Sequence, residues 1–126
     1  MKKITKIEWL NKPVEHDYPA ARSYLSLLYE KDEVEAIITQ FKKAKINYFK
    51  AKDILRASKV LLLDLNDFEV KKDYKRITKG VKLSPILLVR DKSTGSVIIA
   101  DGYHRVCVVY HLKEKDLIPC KIVSFK

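Results

Sequence analysis

A chain of 126 residues with 47% hydrophobic content is long enough for one domain with a real core and too short for two. No run approaches the roughly 18 apolar residues of a membrane span. The basic N-terminus MKKITKIEWLNK lacks an apolar stretch with a small-residue cleavage site, so no signal peptide is expected and the cytoplasm is the expected location. The formal charge of +10 raises a nucleic-acid partner, since basic surfaces release counterions from polyphosphates. Lysine supplies 21 of the 26 basic residues, however, and is spread along nearly the whole chain, as on a solvated surface. Only Arg22, Arg56, Arg76, Arg90 and Arg105 can read phosphate or guanine bidentately.

In chain order, Ala21, Tyr24, Leu25 and Leu28 repeat at helical spacing after Pro19, which predicts a helix over 19–29. Val34, Ile37, Ile38 and Phe41 predict a second over 33–44, with Asp32 as N-cap, acids early and lysines late. INYF at 46–49 reads as a short strand and KAKDILRAS at 50–58 as one or two helical turns. VLLLDL at 60–65 is strand-like. The next segment, DFEVKKDYKRITK, is helical, with Val70, Tyr74 and Ile77 on one face, Asn66 or Asp67 as cap, and Gly80 as terminator. Three strands follow: PILLV at 85–89, SVIIA at 96–100 and IPCKIV at 118–123, the first two joined by a short loop ending in Gly95. The pattern is mixed α+β: a single domain over 1–126, mostly helical over about 1–58, with a core over about 60–126. Cys107 and Cys120 lie inside apolar runs without ligand spacing and are expected as buried thiols.

Between the last two strands, VIIADGYHRVCVVY leaves two readings open. Asp101-Gly102 between β-branched runs suits a two-residue hairpin turn, in which case the stretch binds nothing. Read instead as a helix from 103, the residues Tyr103, Val106, Cys107 and Tyr110 form an apolar stripe, extended by Val109 and Leu112 and ended by Lys113 and Lys115. Gly102 would then let a phosphate approach the backbone, and the free N–H groups of 103–105 would face it.

PILLV, the hairpin, IIADGYHR, an apolar segment and IPCKIV resemble, over residues 67–123, the superfamily shared by the ParB N-terminal domain, sulfiredoxin and the free-serine kinases. The whole chain, including FKAKDILRAS, also looks like a group of small bacterial proteins, which adds no chemistry. The superfamily resemblance implies a small mixed sheet with helices, a helical N-terminal extension, and nucleotide phosphates held at the start of the helix after DGYHR. Sulfiredoxin-like enzymes carry a reactive cysteine where this chain has Tyr103, so sulfinic-acid reduction is not expected. ParB-like domains carry Gly-Glu-Arg-Arg at this turn and continue into a DNA-reading helix-turn-helix, which is not seen here. The serine-kinase form Asp-Gly-His-His-Arg matches DGYHR in all but one position.

The resemblance implies nucleotide and phosphate binding by Gly102, Tyr103, His104 and Arg105, with Arg105 making the charge-assisted contact. Lys82 and Ser84 occupy a loop that in relatives lies near the nucleotide. Asp101 could hold Mg²⁺ with ATP or another nucleotide, and Asp101 and His104 are the catalytic candidates. The acceptor-orienting carboxylate of the serine kinases has no clear counterpart. Glu15, His16 and Asp17 of PVEHDYP come first and Asp53 with Arg56 next, against a solvated turn capping the first helix. His111 reads as a C-terminal dipole partner. Three functions follow: an ATP- and Mg-dependent phosphotransferase on a small acceptor, a non-catalytic nucleotide- or phosphate-binding regulatory module, or a basic, ParB-like nucleic-acid binder.

Overall fold

A computed structural model describes residues 6–125. The elements run α1 (Asp17–Leu25), α2 (Lys31–Lys43), β1 (Asn47–Lys50), α3 (Ala51–Ser58), α4 (Phe68–Thr78), β2 (Ile86–Asp91), β3 (Ser96–Asp101), α5 (Tyr103–Lys113) and β4 (Leu117–Phe125). The sheet order is β1-β4-β2-β3, with β4 and β2 parallel and the two outer pairings antiparallel. The chain is therefore a small α+β domain with a mixed sheet, as its pattern predicts.

Both faces of the sheet are covered, which is why PILLV reads as a continuous apolar run. Leu87, Val89, Ala100 and Val123 face α1 and α2, whose Ala21, Leu25, Val34, Ile37 and Phe41 complete one cluster. Ile86, Leu88, Ile99 and Cys120 face the other way, against α3, α4 and α5. At about 1.5–3 kcal/mol per fully buried large aliphatic side chain, these two clusters dominate the favourable side of folding. Helices α1 and α2 of the N-terminal part thus form one layer of the domain, while its β1 joins the sheet and its α3 the opposite face. A polar tie reinforces it: the buried Lys121 of β4 donates from Nζ to the Phe41 carbonyl at 2.9 Å and to the Tyr18 hydroxyl at 3.4 Å. Burial pulls this ammonium below the usual lysine range, and Lys12 adds to the effect.

The disputed stretch is a helix. Among the described residues β3 pairs only with β2, and Val106, Cys107, Val108 and Val109 of α5 are all buried. The β-branched valines are poor helix formers alone, and burial overrides that preference. Both cysteines are free and buried, and burial raises both thiols, Cys120 to about 12.

VLLLDL is not a strand. It crosses α5 as irregular chain, with Leu61 83% exposed. Side chains of α5 take up its carbonyls: the Tyr103 hydroxyl donates to Leu61 O at 2.5 Å, and a His111 ring nitrogen lies 2.7 Å from Leu63 O. His111 is therefore a tether for this segment as well as a basic group in the last turn of α5. The first helix also stops short of 29, leaving Leu28 beyond its end 48% exposed, and Tyr24, though within it, is 46% exposed. The N-cap of α2 is Glu30 rather than Asp32; its backbone N–H donates to the Glu33 carboxylate at 2.9 Å. Asp67 caps α4 as expected, accepting from the N–H groups of Glu69 and Val70.

Candidate functional site

The junction of β3 and α5 is built by one residue type at one position. Gly102 sits at φ 110°, and a Cβ there would collide with Cδ1 of Ile86 and lie 3.1 Å from both Ile86 Cγ2 and an Arg105 nitrogen. The glycine is demanded by close packing against β2 and by its left-handed backbone, before any ligand is considered. The first backbone bond of α5 runs from the Val106 N–H to the Gly102 carbonyl at 3.0 Å, and no side chain caps the helix. The N–H groups of Tyr103, His104 and Arg105 stand ahead of that bond, at the positive end of the helix dipole.

Arg105 turns back under this end. One guanidinium nitrogen donates to the Asp101 carboxylate at 2.5 Å, the other donates to the Ser84 carbonyl at 2.9 Å and lies 3.8 Å from Asp17. The side chains of Arg105, Asp101 and Asp17 are 13%, 16% and 8% exposed, so the group is largely dry. The Ser84 hydroxyl donates to Asp17 and accepts from the Val14 N–H at 3.1 Å. Two carboxylates thus share one guanidinium. Burial pushes the Asp101 carboxyl up to about 6; Arg105 pulls against that shift and Asp17 adds to it.

The first carboxylate choice from the N-terminal half therefore divides. Asp17 is brought to Asp101 and Arg105, whereas Glu15 and His16 are exposed in the turn before α1. Asp53 is not brought there. It pairs with Lys52 at 3.2 Å and Arg56 at 4.0 Å and lines a different hollow with them. Lys82 is exposed, and Ser84 is buried and already bonded on both its hydroxyl and its carbonyl.

Asp101, Gly102 and His104 stand between two hollows. One, of about 180 Å³, is shared with Arg105 and with Glu69, Asp73 and Arg76 of α4. The other, of about 440 Å³, runs along β3 and is walled by Tyr24, Ser58, Val60 and Tyr103. His104 lines both. The α4 contribution has no motif in the sequence; Asp73 and Arg76 pair at 2.8 Å one turn apart, a spacing that also suits an ordinary surface ion pair.

Among the described residues no group of three His, Cys, Asp or Glu side chains is placed to hold a metal ion, and no helix is long and apolar enough to cross a membrane. No protein-family model matches this chain, and no curated protein or solved structure matches it either.

Proposed function

We propose that this is a ParB/sulfiredoxin-like, nucleotide-binding protein that transfers a phosphoryl group from ATP or another nucleotide to a small acceptor. The observation that carries this reading is the meeting of Asp17 with Asp101 and Arg105 at the junction where α5 begins, ahead of its first backbone bond. Phosphoryl transfer needs charge stabilisation and positioning more than covalent chemistry, and this junction supplies backbone donors, a histidine and a carboxylate pair in one place. The amides of 103–105 and His104 hold the phosphates. His104 borders both hollows and so can meet phosphate in one and an acceptor hydroxyl in the other. Asp17 and Arg105 are positioning residues that fix Asp101. Mg²⁺ takes one or two carboxylates together with phosphate oxygens and water. Asp101 keeps one carboxylate oxygen off Arg105 and is the single carboxylate this site would offer the ion, with phosphate oxygens and water supplying the rest of its shell. When bound, the ion would neutralise phosphate charge.

The engagement of Arg105 within the protein favours a second reading, a nucleotide-binding module without turnover, since a locked guanidinium cannot follow a moving phosphoryl group. Thermal shift with ATP, CTP and GTP, with and without Mg²⁺, tests binding, because ligand at about 100 times Kd adds about 2.7 kcal/mol to stability. ADP release with a panel of hydroxyl acceptors then separates the readings. Binding with turnover that His104→Ala removes supports the transferase, and binding without turnover supports the module. The absence of any shift overturns both.

A further inference from the structure

β3 is an edge strand: β2 pairs with one side of it, and among the described residues no strand pairs with the other. Edge strands are usually blunted by lysine, proline, an inward charge or a covering loop. Ser-Val-Ile-Ile-Ala-Asp has none of the first two, its one charge, Asp101, is bonded to Arg105, and a register shift against β2 at Ala100 confines the regular edge to residues 96–99. Instead of a cover, all six residues line the 440 Å³ hollow, with Tyr24 of α1 on one side and Ser58 and Val60 after α3 on the other. The regular part of the strand spans about 13 Å at roughly 3.3 Å per residue, enough for a partner strand of about four residues.

We propose that this edge receives an extended, acidic segment of a partner protein, which joins the sheet as a fifth strand. The reading shares the 440 Å³ hollow and the α5 terminus with the proposed function but needs no nucleotide, so a test without nucleotide separates its failure from that of the transferase. The open backbone of β3 supplies the ladder and the apolar walls supply pockets for alternate side chains, as in strand addition generally. Charge selects the partner. The chain carries +10, and exposed Lys59 lies between the wall residues Ser58 and Val60. Exposed Lys92 sits in the turn leading into β3, and the positive end of α5 closes the far end of the groove. A second copy of the chain would bring another +10 to the same edge and is disfavoured on that ground.

The test uses the full chain without nucleotide and three decapeptide pools of alternating apolar and polar residues, in which the polar positions are acidic, neutral or basic. The acidic pool is expected to be retained at least about tenfold better than the basic pool and to lose that advantage at high salt. Bound peptide should slow hydrogen exchange at alternate amides of β3, the pattern that strand pairing alone produces. Tyr24→Glu, a change at an exposed wall residue, should reduce acidic-pool retention by about tenfold with the melting temperature unchanged. Equal retention of the pools, retention without protection in β3, or a concentration-dependent dimer that protects β3 unaided would each overturn the proposal.

Discussion

Asp17 of α1 and Arg105 of α5 meet at 3.8 Å in a dry pocket, with Asp101 on the other nitrogen of the same guanidinium at 2.5 Å. Neither carboxylate would be tolerated there without the arginine. Arg105→Ala is expected to destabilise the protein by about 3–5 kcal/mol, because two buried acids lose their shared counter-ion. The double variant Arg105→Leu with Asp101→Leu should be less damaged than Arg105→Ala. Urea midpoints of the three proteins measure this, and a double variant at least as damaged as Arg105→Ala would refute it.

The same pocket sets a pH dependence. The folded-state value for Asp101, about 6, lies above the ordinary carboxylate range, so the folded protein holds this proton more tightly than the unfolded chain does. The stability it contributes is fully present below the unfolded value, near pH 3.8, and is lost as pH rises through about 6. Asp91 works in the opposite sense, since hydrogen bonds from Ser93 and Tyr29 lower its value, and its contribution is lost only as pH falls. Denaturation of wild type and Asp101→Asn from pH 4 to 7.5 isolates the first effect: the difference between them should change through that window, and a constant difference would refute the assignment.

Gly102→Ala should cost about 1–3 kcal/mol from the backbone alone, with further loss from the collision against Ile86. Ile86→Ala in the same chain should restore the collision part and leave the backbone part. A double-mutant cycle reads the coupling directly, and additivity would mean that the two residues do not press on each other.

Tyr103→Phe removes the hydroxyl that holds the Leu61 carbonyl and is expected to cost about 0.5–1.5 kcal/mol. The sharper readout is local: limited proteolysis within 60–65 should accelerate, as should cleavage in His111→Ala, which frees Leu63 O. Unchanged cleavage would show that the segment is held by other contacts.

The long periodic elements were legible because their pattern and their burial agree. The helix around Phe41, the α4 stripe of Val70 and Ile77, and the β2 run all lie where spacing puts them. VLLLDL misleads because its composition suits a strand while its backbone partners are side chains of α5, some forty residues downstream, which no local window contains. The DGYHR turn could not be settled by pattern, since Asp-Gly favours a hairpin and only the buried surroundings of Val106 to Val109 favour helix. At the site, Asp101 and Arg105 were legible as site residues through DGYHR, but as separate contacts to Mg²⁺ and phosphate, and their ion pair across the β3–α5 turn was not. The approach of Asp17 depends on α1 packing across β3, and the sequence offers only a cluster of polar residues in PVEHDYP to suggest it.

The apolar ribbon outside α5 bears on how the protein behaves in concentrated solution. A run such as VLLLDL, left exposed and tethered by a few side-chain bonds, has the makeup of segments that stack between chains into cross-β aggregates. Mutual repulsion among copies carrying +10 opposes such contacts. Polyanions or high ionic strength remove that repulsion, so precipitation should begin at this ribbon when the lysine surface is neutralised, and Leu61→Lys should delay it in turbidity measurements.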